Sequence, residues 1–263
     1  MNRALVLLLA LAPVLVAAEP KPLLQSHAHN DYEHARPLLD ALDRGFCSIE
    51  ADVWLVDGQL LVAHDLKNVQ PERTLSRLYL EPLRERVRRN RGRVYRGGPP
   101  VILLVDAKSA AVPTYTALHA VLEKFADILT SFREGRPQSS AITVIVSGNR
   151  AIDVMKAQPL RYAALDGRAA DLDTNPPVAL VPIVSENWKT VFGWAWEGPM
   201  PADVASRLRQ WVERAHAQRR KVRFWNTPDR ADAWGILADA GVDIIGTDDL
   251  PGLQKFLLNR GAR

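Results

Sequence analysis

Glu50 and Asp52 stand two positions apart in an otherwise apolar stretch, Ser48-Ile49-Glu50-Ala51-Asp52-Val53. Extended backbone turns alternate side chains to one face, so both carboxylates point the same way. Like charges held close raise one pKa strongly unless a cation or hydrogen bonds offset them. A hard divalent cation such as Mg²⁺ or Ca²⁺, ligated by carboxylate oxygens and waters, is the economical solution. Asp106, at the end of Val101-Ile102-Leu103-Leu104-Val105, supplies a third oxygen donor. The alternative is a salt-bridged cluster around Lys108, two residues further on. Leu60-Leu61-Val62-Ala63-His64-Asp65 returns the chain toward Glu50 and Asp52, and His29 arrives from the preceding strand. Two imidazoles beside a metal suit an exchange of protons near neutral pH: one takes a proton from an attacking oxygen, the other gives one to a leaving oxygen. Lys108 shares the face of Asp106 and can reach past the metal toward an anionic substrate.

These residues need a frame. Short β-branched runs alternate with amphipathic segments throughout, the signature of βα units around a parallel sheet. Strands are predicted at Leu23 to Ser26, Ser48 to Val53, Val101 to Val105, Ile142 to Val146, Tyr162 to Leu165, Ala179 to Val184, Val222 to Trp225 and Ile244 to Gly246. Eight is the count of a closed (β/α)₈ TIM barrel. Helices are predicted at Arg36 to Arg44, Leu75 to Asn90, Thr114 to Arg133, Arg150 to Ala157, Ala202 to Arg220, Ala231 to Ala240 and Leu250 to Asn259. Asp166 to Pro177 reads as a loop with at most a short helical turn, and Val56-Asp57-Gly58-Gln59 as the turn of a small hairpin. A barrel of this kind works at the C-terminal ends of its strands. There the chain offers His27 and His29, Glu50 and Asp52, Asp106 and Lys108, Ser147 and Asn149, Glu186 and Asn187, Trp225 and Asn226, and Asp248 and Asp249. Asn30, Glu186, Trp225 and Asn226 are the candidates for touching substrate; His27, Asp65 and Asp248 are candidates for supporting the site from behind.

The 263 residues are 47% hydrophobic and 24% charged, which excludes disordered, fibrous and multi-span membrane classes. Arg3, the apolar run Leu5 to Val16 and the small residues Val16-Ala17-Ala18 before Glu19 make residues 1–18 a signal peptide and 19–263 a single α/β domain. The apolar run is shorter than the roughly 20 residues of a spanning helix. The expected destination is the periplasm or the exterior. Cys47 is the one cysteine, so no intramolecular disulfide exists, and its apolar surroundings make it a packing residue. A net charge of +4 is too mild to argue for nucleic acid. Arg84, Arg86, Arg88, Arg89, Arg91, Arg93 and Arg96 crowd one segment, which suits a solvated helix end or peripheral contact with an anionic membrane.

With these motifs in place, the chain resembles the phosphatidylinositol-phospholipase-C-like phosphodiesterase superfamily, which includes glycerophosphodiester phosphodiesterases and sphingomyelinase D. The resemblance rests on His29, Ile49-Glu50-Ala51-Asp52-Val53, Asp57-Gly58-Gln59-Leu60-Leu61-Val62-Ala63-His64-Asp65, Asp106-Ala107-Lys108 and Gly241-Val242-Asp243-Ile244-Ile245-Gly246-Thr247-Asp248. His27-Ala28-His29-Asn30-Asp31-Tyr32, with Arg73-Thr74-Leu75 and Leu78-Tyr79-Leu80, looks most like the branch related to fungal altered-inheritance-of-mitochondria proteins, a name that describes a phenotype and not a reaction. The resemblance implies that His29 and His64 are the acid/base pair, that Glu50, Asp52 and Asp106 bind the metal, and that Lys108 neutralises phosphate charge. It implies a small-molecule or lipid phosphodiester as substrate. The chain departs from glycerophosphodiesterases in reading His29-Asn30-Asp31 where they have His-Arg-Gly, so an arginine expected to grip phosphate is missing. Its third acidic ligand is Asp106 where they use glutamate, as in the sphingomyelinase D pattern.

Two other readings compete. His27-Ala28-His29 after a first strand also suits an amidohydrolase or polymerase-and-histidinol-phosphatase barrel, but such a site needs more histidines, and His119 and His216 fall inside amphipathic helices. A secreted, non-catalytic barrel that binds phosphate esters is the second; Trp188, Phe192, Trp194 and Trp196 would give it an apolar rim, or pack as a lid.

Overall fold

Strands buried on both faces, one toward a barrel interior and one beneath helices, must be near-continuous Val, Ile and Leu, and that is what these runs are. The computed structural model describes residues 19–261, so the proposed leader, residues 1–18, lies outside the described residues. The chain opens with β1 (Leu23–Ala28), α1 (Leu39–Leu42), β2 (Phe46–Val56) and β3 (Gln59–Val62). It continues with α2 (Glu81–Arg89), β4 (Val101–Ala107) and α3 (Ala111–Glu123), then β5 (Ser131–Arg133), β6 (Arg136–Gln138) and β7 (Ile142–Gly148). Next come α4 (Ile152–Ala157), β8 (Leu160–Arg161), β9 (Ala163–Gly167), α5 (Ala169–Thr174), β10 (Ile183–Asn187) and α6 (Trp188–Phe192). The last elements are α7 (Ala202–Ala217), β11 (Lys221–Trp225), α8 (Ala231–Asp239), β12 (Ile244–Thr247) and α9 (Leu250–Arg260).

Strand pairing runs β1-β12-β11-β10-β9-β7-β4-β2 and closes through β2 to β1, every contact parallel, so eight strands form a TIM barrel. β3 folds back antiparallel on the end of β2. Its two-residue turn places Asp57 at φ 48° and Gly58 at φ 76°, the left-handed pair whose twist matches a tight hairpin.

Four elements differ from expectation. The sixth barrel strand is Ile183–Asn187 and not Ala179 to Val184: Leu180 and Val181 donate to the Pro177 carbonyl in a turn, and Pro182 has no N–H to give a ladder. The helix expected through Arg133 stops at Glu123, because Glu134 and Gly135, both at positive φ, turn Ser131–Arg133 into a hairpin with β6, and β8 completes a small second sheet. The helix expected over Arg36 to Arg44 shrinks to α1, since Pro37 precedes it and Leu38 holds φ 66°. Ser76–Leu80 takes a π turn before α2, where Pro82 cannot donate to the Leu78 carbonyl.

The aromatics after β10 pack inward. Trp188 is fully buried, its ring 4.4 Å from those of Phe192 and Trp196, with Phe224 edge-on at 5.7 Å. Trp194 is half-buried beside them, and with Trp188 and Trp196 it lines an open hollow of about 310 Å³ next to Asn226 and Pro228. Cys47 is buried too, which pushes its thiol up to about 12 and leaves it inert near neutral pH. The arginine-rich segment is partly committed: Arg84 pairs with Asp127, Arg86 with Asp43 and the Val94 carbonyl, and Arg93 with the Ser140 carbonyl.

Candidate active site

Register decides which polar side chains meet. Ala28 lies opposite Ile49, bringing His29 beside Glu50, and Asp52 lies opposite Asp106. Glu50, Asp52 and Asp106 each present an oxygen within 4.8 Å of the others. Asp52 and Asp106 share Lys108, whose Nζ is 3.0 Å from one and 2.9 Å from the other, and Tyr32 Oη donates to Asp52 at 2.7 Å. Even so, Oδ1 of Asp52 and Oδ1 of Asp106 are buried with no partner among the described residues. Burial and then the charge of Glu50 push Asp52 up to about 6, with Lys108 opposing them. Two unmatched anionic oxygens beside a third carboxylate fit a hard divalent cation. Gly148, at φ 64°, makes room for Asp106: a Cβ there would fall 1.9 Å from Oδ1.

Glu50 is anchored from behind. Its Oε2 accepts from His27 Nε2 at 2.8 Å and from Arg223 Nη2 at 2.6 Å. Burial, and then the charge of Arg223, lower His27 to about 4, so its imidazole is neutral. With Nε2–H donated to Glu50, Nδ1 accepts from the Ser48 hydroxyl at 2.7 Å. Burial alone would raise Glu50, but the Arg223 guanidinium and the His27 hydrogen bond hold it well below the usual carboxylate range. Both ring nitrogens of His27 are therefore engaged, and the metal-capable group among the described residues is made of carboxylates alone. His119 and His216 lie in α3 and α7 and bond Gln158 and Asp243.

His29 faces Asp248, Nδ1 to Oδ1, at 2.8 Å, with Asn30 Nδ2 3.1 Å from the same nitrogen. Burial pulls the His29 pKa down, but the Asp248 hydrogen bond and the charges of Glu50 and Asp248 outweigh it, and the net shift is upward. Beside the ring opens a cavity of about 230 Å³ lined by His29, Arg223, Trp225, Asn226, Asp229 and Asp248. A larger hollow of about 810 Å³ lies between α8 and α9, around Trp234 and Phe256, and holds none of the histidines or clustered carboxylates.

The remaining candidates are less gathered. His64 follows β3, where the Ala63 N–H to the Asp52 carbonyl at 3.3 Å keeps the backbone beside β2, but its exposed ring is 3.5 Å from Asp65 and, among the described residues, makes no hydrogen bond or ion pair with His29, Glu50, Asp52 or Asp106. Asp65 starts the 3₁₀ turn Leu66–Asn68. Glu186 accepts the Ala169 N–H at 2.8 Å, in the first turn of α5, and does not line the His29 cavity.

Arg223 and Tyr32 carry site contacts that spacing alone does not assign. The signal for Arg223 is its place in Lys221-Val222-Arg223-Phe224-Trp225, a charge between two core residues of a strand. Across the barrel, fully buried Asp166 ties β7, β9 and β10 together, accepting from Ser147 and Arg168 at 2.8 and 2.9 Å and also from Ser185.

Residues 18–163 match the AIM6-like phosphodiesterase domain. The Altered inheritance of mitochondria protein 6 of Eremothecium gossypii is 30% identical across 88% of this chain and 68% of its own length. A homolog from Arthroderma benhamiae is 27% identical across 88% of this chain and 82% of its own length. Among solved structures, a glycerophosphodiester phosphodiesterase from Parabacteroides distasonis superposes with a TM-score of 0.55 at 15% identity, covering 92% of this chain and 99% of that one. A phosphodiesterase from Oleispira antarctica, in complex with the product sn-glycerol-3-phosphate, also gives 0.55, at 14% identity over 89% and 96%. At such identities the structural likeness speaks for the fold.

Proposed function

The chain belongs to the AIM6-like phosphodiesterase family, and from that premise we propose that it is a metal-dependent phosphoric diester hydrolase acting on a glycerophosphodiester or phospholipid-type substrate. The observation that carries this reading is the convergence of Glu50, Asp52 and Asp106, with two orphaned carboxylate oxygens, next to a histidine that is itself oriented by a carboxylate. These three residues would hold Mg²⁺ or Ca²⁺. Such an ion, when bound, supplies charge neutralisation at the phosphoryl oxygens.

The chain's own groups do the rest. Asp248 keeps the proton of His29 on Nδ1, so Nε2 is left to exchange a proton with the attacking or the leaving oxygen. His64 would serve the other oxygen, which requires its exposed ring to swing toward the carboxylates when substrate binds. Lys108, held between Asp52 and Asp106, is placed to move its ammonium onto a phosphate oxygen as charge builds there. Trp225 and Asn226, which line the cavity beside His29, would contact the alcohol portion of the substrate. The leader read from residues 1–18 supports export, to the periplasm or beyond the cell.

A panel of glycerophosphodiesters and phospholipids, incubated with purified protein and Mg²⁺ or Ca²⁺ and followed by phosphorus NMR, tests the proposal. Cleavage of at least one diester that stops on chelation supports it. A metal-replete protein that binds the diesters without cleaving any would make this a phosphate-ester-binding barrel instead.

A further inference from the structure

Arg223 is 5% exposed and carries a full charge into the barrel, yet only one of its nitrogens, Nη2, has a partner among the described residues, the Oε2 of Glu50. Its Nε is buried and bonded to nothing, and Nη1 has no described hydrogen bond. A buried donor without an acceptor costs about 1–3 kcal/mol, more when charged, so a guanidinium placed this way, with no protein acceptor for these N–H groups, favours an anion beside it. The side chain lines the same cavity as His29. Charges nearby do not fill the gap: Glu50 is shared with His27, Asp248 is turned to His29, and Asp229 accepts the Asp248 backbone N–H. Lys108, the other cation of the site, is taken up by Asp52 and Asp106. Asn30, next to His29, brings no charge.

We propose that Arg223 is the residue that grips the substrate's phosphate, giving its free N–H groups to the non-bridging oxygens while Nη2 holds Glu50. This rests on the phosphodiesterase reading for the nature of the substrate, and adds to it the cation that recognises the phosphate. The chemistry matches: Nη2 gives one N–H to Glu50, and its second N–H lies parallel to an N–H of Nε or Nη1, a planar fork that suits two oxygens of one phosphate, whereas an ammonium is a point charge. Bridging Glu50 and the phosphate also ties the carboxylate cluster to the anion it must meet, so the arginine fixes the distance between them.

The test uses full-length mature protein with Mg²⁺, and inorganic phosphate as the probe. Calorimetry should give a phosphate affinity at least tenfold weaker in Arg223→Gln and in Arg223→Lys, with the affinity for Mg²⁺ within about threefold of wild type in Arg223→Lys, which keeps a charge beside Glu50. On any diester that wild type cleaves, kcat/KM should fall by about 10² to 10³ in both variants. Unchanged phosphate affinity in Arg223→Lys overturns the proposal. So does a loss of Mg²⁺ affinity in step with phosphate affinity, which would make Arg223 a residue that only positions Glu50. Should both variants misfold, a crystal of wild type soaked in phosphate decides: an anion within hydrogen-bond distance of the Arg223 guanidinium supports the assignment, and an anion bound elsewhere in the site defeats it. If wild type binds phosphate through Arg223 but cleaves no diester, the hydrolase reading fails and the anion site stands.

Discussion

His29 Nδ1 and Asp248 Oδ1 are 2.8 Å apart although 219 positions separate them in the chain. The pairing of β1 with β12, with Ala28 opposite Thr247, makes them neighbours across the seam where the barrel closes. An imidazole held this way has one defined tautomer and one free nitrogen, which is the condition for directed proton transfer.

Asp248→Asn should therefore lower turnover by roughly 10², the small end of what positioned acid/base groups contribute. Because Asp248 raises the His29 pKa, the variant's pKa falls, and the limb of the pH–rate profile set by His29 moves to lower pH. The sign for stability follows: a raised histidine pKa stabilises the fold at low pH and the benefit fades as pH rises through it. The melting-temperature gap between wild type and Asp248→Asn should be wider at pH 5 than at pH 8. A gap independent of pH would contradict the pairing.

The carboxylate cluster should make stability depend on divalent ions. Saturation at about 100 times Kd adds about 2.7 kcal/mol to the unfolding free energy, and chelation removes it. Asp52→Asn and Asp106→Asn should blunt that response in thermal melts. Gly148→Ala should do so too without altering a donor, because the new methyl collides with Asp106 Oδ1. Equal ion-induced shifts in all three variants and wild type would place the ion elsewhere.

Lys108 neutralises two carboxylates in the absence of a cation, and their charges raise its pKa in spite of burial. Lys108→Met should melt earlier than wild type in chelator, and the deficit should close when Mg²⁺ or Ca²⁺ takes over the neutralisation. Turnover should remain lower by about 10² to 10³ even when the ion is saturating. A stability deficit that persists unchanged with the ion, at normal turnover, would make the lysine structural.

Asp31 is fully buried, accepts the Leu38 N–H and the Tyr79 hydroxyl, and leaves Oδ1 unpartnered. Burial pushes its carboxyl up to about 7, so the folded protein keeps a proton that the unfolded chain releases near pH 4. Stability then falls as pH rises from about 4 to about 7, by at most about 1.4 kcal/mol per unit. Asp31→Asn lacks this slope. Its stability in urea relative to wild type should improve between pH 5 and pH 8, and a constant difference would show that Asp31 is ionised in the fold.

What the sequence determined by itself is what short-range periodicity encodes. Alternation in Ser48-Ile49-Glu50-Ala51-Asp52-Val53 sets both carboxylates on one face, and the eight apolar runs specify a barrel. Asp57-Gly58 specified the hairpin because only a few residues accept that backbone. Where local pattern is ambiguous, packing decides: the amphipathic stretch up to Arg133 looks helical, and Glu134-Gly135 together with the partner strand Leu160–Arg161 makes its end a small sheet. Arg86 shows the same limit, since a charged residue in a basic run reads as solvated and is instead buried over Tyr95. The tertiary structure alone decided that Arg223 meets Glu50 across 173 positions, that Asp248 meets His29, and that Trp188 and Trp196 turn inward. The first two contacts depend on the stagger at which the barrel closes, which brings strands distant in sequence into register, and no local pattern of side chains carries that information.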